Sequence, residues 1–198
     1  MQSSYGELQT YQDENGTMSL RTKVWCLGLS RTGTSTLSEA LRAAELNHIH
    51  YPTKWDMFHG IHDGCGDISV IPYYKELDKL YPNSKFVYTV RNKQDWLKSM
   101  EPYLERKRQW KQSKFQVDTR IAVYKEAFFD YNTYSKAYDD HDRDVREYFK
   151  HRPYDFLVLD IIGGDKPQKL FDFLNMACPW DEFPHYNKLV DGKGVRVA

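Results

Sequence analysis

Lys23-Val24-Trp25-Cys26-Leu27-Gly28-Leu29 is an apolar run of strand length that opens onto a Gly/Thr/Ser turn and then directly onto helix formers. Within Thr36–Ala44, Leu37, Leu41 and Ala44 fall on one helical face. Parallel strands need a crossover, usually a helix, and a strand that feeds directly into a helix supplies one. The alternation repeats down the chain. A short strand at His48-Ile49-His50-Tyr51 stops at Pro52, a second spans Lys85–Val90, and Phe156–Asp160 is the last. Between them, Tyr73–Leu80, a segment starting near Asp95, two or more stretches within residues 101–151, and Pro167–Leu174 read as helices. The predicted class is α/β, a central parallel sheet with helices on both faces.

Two regions lack such a pattern. Residues 53–70 carry the Gly-flanked turns His59-Gly60, Asp63-Gly64 and Gly66-Asp67 and read as a loop. Residues 1–20 are polar and unpatterned and read as a flexible N-terminal arm, before a single α/β domain over 21–198.

Composition narrows the partners. Twenty-eight Lys+Arg balance 28 Asp+Glu, which gives no electrostatic case for nucleic acid or an anionic membrane. Fifteen Tyr, ten Phe and five Trp argue against disorder over the whole chain. Three scattered cysteines without a CxxC pair fit a reducing cytoplasm rather than a disulfide framework or a zinc site. The polar start does not read as a signal peptide, so the expected location is cytoplasmic.

The loop Gly28-Leu29-Ser30-Arg31-Thr32-Gly33-Thr34-Ser35-Thr36 sits where backbone N–H groups and a positive helix end gather around phosphate. Gly28, Gly33 and Ser35 fit the frame GxxxxGK[ST], but Thr34 stands where lysine belongs and the nearby cation is Arg31. Without that lysine the loop can hold phosphate but is not equipped for ordinary ATP chemistry. The bland alternative is a helix cap from Thr34 or Ser35. Two glycines and an arginine exceed what a cap needs.

Ser30-Arg31-Thr32-Gly33-Thr34-Ser35-Thr36-Leu37 resembles the 5′-phosphosulfate loop of sulfotransferases that use 3′-phosphoadenosine 5′-phosphosulfate (PAPS). Phe86 to Ser99 is similar to that family's 3′-phosphate site, a strand ending in Arg91 with Ser99 eight residues on. His50-Tyr51-Pro52, Asp67-Ile68-Ser69-Val70, Lys79 to Phe86, and Phe183-Pro184-His185-Tyr186-Asn187 resemble blocks of a compact, mostly microbial branch. The resemblance implies a P-loop sulfotransferase-like three-layer fold and metal-independent, in-line sulfuryl transfer to a hydroxyl or amine, leaving 3′-phosphoadenosine 5′-phosphate (PAP). It implies that Arg31, Thr32, Gly33, Thr34, Ser35 and Thr36 hold the 5′-phosphate, with Arg31 also facing the bridging oxygen. Arg91 and Ser99 then hold the 3′-phosphate, and the tail Asp191 to Arg196 suggests Lys193 beside them. The expected acceptor is a small molecule, glycan or peptide held by residues 53–70 and 101–151.

The Lys-Thr-His segment that carries the base in cytosolic sulfotransferases is absent, so the base is sought among local groups. His50 ends the second strand at the edge where ligands bind in open α/β sheets, with His48 behind it on the same strand face. Asp67 is the carboxylate alternative; its other reading is a helix cap before Val70. His59 and His62 read as exposed loop residues, and His141, His151 and His185 as structural or solvated. The basic stretch Arg106–Lys111 with Lys114 reads as a solvated helix face, or alternatively as an acceptor-side surface for an anionic glycan or peptide. Two rival functions remain at this level. One is a P-loop kinase or nucleotide hydrolase with Asp160 as a magnesium-holding strand-end carboxylate; the other is a non-catalytic nucleotide binder.

Overall fold

A computed structural model describes residues 10–12, 18–20, 22–183, 189–190 and 193–194, with side chains over 22–183. Strands β1 (Thr10–Gln12) and β2 (Met18–Leu20) pair antiparallel within the stretch the sequence reads as an arm. The main elements follow as β3 (Val24–Cys26), α1 (Thr34–Ala43), β4 (His48–His50), α2 (Lys54–Phe58) and β5 (Gly64–Gly66). A 3-10 turn (Ile71–Tyr73) leads into α3 (Tyr74–Leu80), then β6 (Lys85–Thr89), α4 (Lys93–Arg108), α5 (Lys114–Tyr124) and α6 (Tyr131–Phe149). The chain continues through β7 (Phe156–Leu159), α7 (Pro167–Leu174) and an antiparallel pair, β8 (Leu189–Val190) with β9 (Lys193–Gly194).

Five strands form one sheet in the order β4-β5-β3-β6-β7, every neighbouring pair parallel. Strand parity divides the core, because successive side chains point to opposite faces. Trp25, Leu27, Phe86 and Tyr88 meet Tyr74 and Leu77 of α3 and Val145 and Phe149 of α6. Val24, Cys26, Val87 and Leu159 meet Leu37, Ala40 and Leu41 of α1 and Leu170 and Phe171 of α7. Each such buried side chain contributes about 1.5–3 kcal/mol. The α/β class with a parallel sheet covered on both faces is therefore what the chain adopts.

One expectation fails here. Residues 53–70 are not a loop; they contain α2 and an interior strand, β5. The reason is close packing. A Cβ on Gly64 would lie 1.9 Å from the Val24 carbonyl oxygen, and one on Gly66 would lie 2.9 Å from Cys26 Cβ. Glycine is needed because neighbouring strands leave no room, and that need looks like turn composition in a sequence.

Beyond the carboxyl ends of β3 and β5, Leu29 and Ile68 enter a third cluster with Trp96, Leu97, Met100 and Leu104 of α4, Tyr124 of α5 and Tyr134 of α6. The chain leaves β3 toward β4 on one side and later crosses to β6 on the other. A crevice at such a reversal of strand order is where open α/β sheets bind ligands. The ends of β3, β4, β5 and β6 all open toward it.

Candidate active site

The loop between β3 and α1 is fixed by side chains from four other elements. The Ser30 N–H donates to Tyr124 Oη (3.0 Å), and Trp96 Nε1 donates to the Ser30 carbonyl (2.8 Å). His141 Nε2 donates to the Leu27 carbonyl at 2.8 Å. Thr32 Oγ1 donates to the Leu29 carbonyl and shares a 2.7 Å hydrogen bond with Thr89 Oγ1. A Cβ on Gly28 would lie 1.8 Å from that Thr89 oxygen, so only glycine fits. Thr32, expected among the phosphate donors, instead spends its hydroxyl and its N–H on the Leu29 carbonyl.

Gly33 turns the chain at φ 101° and is the N-cap of α1, with no side-chain cap bond. The cap alternative for Thr34 and Ser35 is therefore not what forms; their hydroxyls face His50 instead. The first-turn N–H groups of α1 have no intrahelical carbonyl to reach, and a helix start of this kind attracts anions. Thr36 is buried in that same first turn.

Three of the predicted residues converge beside this helix start. Arg31 Nε donates to Ser99 Oγ at 3.1 Å, and its guanidinium lies 5.5 Å from the Tyr103 ring centre. Arg91 Nη1 donates to the Arg31 carbonyl at 3.3 Å. Arg91 Nε is buried without a hydrogen-bond partner, a donor that an anion at this position would satisfy. Burial pushes the Arg31 guanidinium below its ordinary value; Tyr103 opposes that, while Arg91 and Arg106 add to it.

Across the crevice, His50 and Asp67 meet. His50 Nε2 lies 3.2 Å from Asp67 Oδ2, 3.2 Å from Ser35 Oγ and 3.3 Å from Thr34 Oγ1. The two rival bases read from the sequence are thus one pair, joined because β4 and β5 are adjacent in the sheet. Asp67 Oδ1 accepts the Ile68 N–H at 2.6 Å, not the Val70 N–H that a helix cap would take. Burial pushes the Asp67 carboxyl up; His50 and the Ile68 N–H pull the other way. His48, buried behind His50, places Nε2 3.5 Å from Cys26 Sγ, and burial pushes its pKa down to about 3.

Backbone strain marks the same place. Seven non-glycine residues have positive φ among those described. Glu45, Asn83, Lys125 and Asn175 follow or cap helices, whereas Arg31 (71°), Tyr51 (61°) and Asp67 (82°) all border the crevice. Such conformations cost about 1–3 kcal/mol each and persist where surrounding structure enforces them.

The remaining sequence candidates lie apart from the pair. His59 is exposed, stacks on Trp55 and bonds its carbonyl; His62 faces Asn47 and Asp56; His151 is exposed. Asp160 accepts the Gly163 N–H in the turn after β7, which ties the carboxylate of the kinase reading to a local turn. Lys193 lies in β9, whose side chains fall outside the described ones, and His185 and Arg196 lie outside the described residues. Sequence reasoning missed Trp96, Tyr103 and Tyr124. Tyr103 was within reach, since it sits four residues after Ser99 on one helical face. The anchors Trp96 and Tyr124 reach Ser30 across 66 and 94 residues, and no local pattern encodes that.

Residues 51–191 match the family model described as "Sulfotransferase domain", a stretch holding Asp67, Arg91 and Ser99 but starting after the β3–α1 loop. By structure, the chain resembles the sulfotransferase from Alicyclobacillus acidocaldarius, with 15% sequence identity and a TM-score of 0.55 over 83% of this chain and 85% of that one. Compared by sequence with curated proteins, the chain matches none. Among the described residues, no helix is long and apolar enough to cross a membrane.

Proposed function

The chain belongs to the sulfotransferase-domain family, and from that premise we propose that it moves a sulfuryl group from PAPS to a hydroxyl or amine of an acceptor without a metal. One observation carries the choice of donor: the buried, unpartnered Nε of Arg91 beside Ser99 and Arg31, next to an uncapped helix start. A nucleotide with phosphate at both its 3′ and 5′ positions suits two such anion sites joined through Arg31. Bound there, PAPS supplies an activated sulfuryl group and leaves as PAP.

The protein's own groups then divide the work. Arg91 and Ser99 bind the 3′-phosphate, Arg91 as a charged donor and Ser99 through its hydroxyl. The first-turn N–H groups of Thr34, Ser35 and Thr36 bind the 5′-phosphate, with Gly33 letting the backbone approach. Arg31 holds a partly desolvated positive charge beside them, where such charge acts more strongly than in water. His50 takes the acceptor's proton at Nδ1, because its Nε2 is turned to Asp67, Ser35 and Thr34. Asp67 stabilises the imidazolium formed, and the hydroxyls of Thr34 and Ser35 orient the ring.

The test is transfer of labelled sulfate from PAPS to a panel of phenols, sugars and peptides in the presence of EDTA. Transfer supports the reading. Magnesium-dependent ATP turnover would favour the kinase alternative, and tight PAPS binding with no transfer would favour a non-catalytic binder.

A further inference from the structure

We infer that the acceptor carries an anionic group, such as a carboxylate, near the hydroxyl or amine it offers, and that Lys107 and Arg106 recognise that group. This inference rests on the sulfotransfer reading and names its substrate class. Ser99, Tyr103, Arg106 and Lys107 recur at helical spacing along α4 and so share one face. That face starts at the donor site, where Ser99 meets Arg31. It continues with the Tyr103 ring, whose centre lies 5.5 Å from the Arg31 guanidinium and 5.7 Å from Lys107 Nζ. Lys107 is eight residues past Ser99, about 12 Å along the helix axis, two turns beyond the residue that meets Arg31.

Lys107 instead falls within electrostatic reach of Asp67, the partner of the proton-accepting His50. Its surroundings there are aromatic. Tyr51, directly after His50, packs edge-on against Phe115 at 5.5 Å, and Tyr103 lies between the cations.

The charge in this region is not balanced. Among the described residues neither Arg106 nor Lys107 has a carboxylate within salt-bridge distance. The nearby acids Glu105 and Asp118 are paired with Arg108 and Lys114. Asp67 is engaged with His50. Arg120, also close, is occupied by the Ala127 carbonyl and Gln112. A neutral acceptor would leave Lys107, beside Tyr103 and within reach of Asp67, and Arg106, within reach of Arg31, without a partner. An anionic one would be repelled by the donor's phosphates unless cations stood at that end of the pocket, and Arg106 and Lys107 stand there.

The test uses the full chain, labelled PAPS and matched acceptor pairs: 4-hydroxyphenylacetate with 4-hydroxyphenylacetamide, and methyl glucuronide with methyl glucoside. The expected result is a preference of about tenfold or more in kcat/KM for the carboxylate member, expressed mainly in KM. Lys107→Gln should bring that ratio toward one and Lys107→Arg should preserve it, with melting temperatures confirming that both variants fold. Equal or faster transfer to the neutral members, or an unchanged ratio in Lys107→Gln, overturns the inference and leaves sulfotransfer standing. No transfer to any of the four, with transfer to other, neutral acceptors of the wider panel, overturns the inference alone; no transfer across the whole panel overturns both.

Discussion

The β3–α1 loop and the β4–β5 edge face each other across the crevice and are built by opposite means. The loop is held by its backbone: Ser30 is bonded at both N–H and carbonyl, and the Leu27 carbonyl is taken by His141. Its fixed shape leaves the helix start without a side-chain cap and the buried Arg91 Nε without a partner. The edge works through side chains: His50 Nε2 lies 3.2 Å from Asp67 Oδ2, with positive φ at Asp67 and at Tyr51 beside His50. On the proposed function, the preorganised loop loses little freedom on binding and governs affinity, while His50 and Asp67 govern rate. Substitutions on the two sides should therefore separate affinity from turnover.

His50→Ala should produce the largest effect. General-base help contributes about 10²–10⁴-fold, so initial rates should fall by that factor while PAP affinity measured by calorimetry hardly moves. A loss that fell on PAP affinity instead would break the division between loop and edge.

Asp67→Asn sharpens it. Turnover should drop by about tenfold to a hundredfold, less than in His50→Ala, because the base remains but its imidazolium loses a partner. Stability should move the other way. Burial holds the folded carboxyl above its unfolded value, so ionisation penalises the fold. That penalty is absent below the unfolded carboxyl range and grows as pH rises through it toward the folded value. Melting curves across pH should show Asp67→Asn gaining on the wild type as pH rises. A rate unaffected in His50→Ala but abolished in Asp67→Asn would make the carboxylate the base.

Much of this was legible in sequence, for local reasons. Phosphate chemistry demands fixed spacing, so the loop and the Arg91–Ser99 segment stand out, and the structure brings Arg31, Arg91 and Ser99 into contact. The parallel sheet was legible from its apolar runs, except β5, where glycines forced by Val24 and Cys26 imitate a loop. The His50–Asp67 pair was not legible as a pair, because strand adjacency, not spacing, joins residues 17 positions apart. Thr32 matched the motif, yet the fold uses its hydroxyl to shape the loop. Motifs identify residue types at a site; only packing shows which donors stay open.

His48 and His50 offer a smaller test on a single strand. Burial depresses His48 from 6.5 to about 3, so the unfolded chain binds the proton that the fold refuses. Its stabilising contribution is full above pH 6.5 and is lost as pH falls from there toward about 3. His48 should add a slope of up to about 1.4 kcal/mol per pH unit in chemical denaturation, beside that of the likewise depressed His141, and His48→Gln should remove that share. A slope unchanged in His48→Gln would place the acid sensitivity elsewhere.

Tyr124→Phe should have the smallest effect. It removes the acceptor of the Ser30 N–H while keeping the ring that stacks on Tyr134 at 4.7 Å. A cost of about 1 kcal/mol, roughly fivefold, should appear in nucleotide affinity and not in the pH profile of turnover. A shift in that pH profile would mean that the loop and the edge are not separable.

The central claim, that Arg91 and Ser99 hold a 3′-phosphate beside the loop, is tested most directly by calorimetry with PAP and AMP on the wild type and on Arg91→Ala. The account predicts that PAP binds about ten- to a hundredfold more tightly than AMP, one charge-assisted hydrogen bond's worth, and that Arg91→Ala removes the difference. Equal affinity for PAP and AMP in the wild type would contradict it.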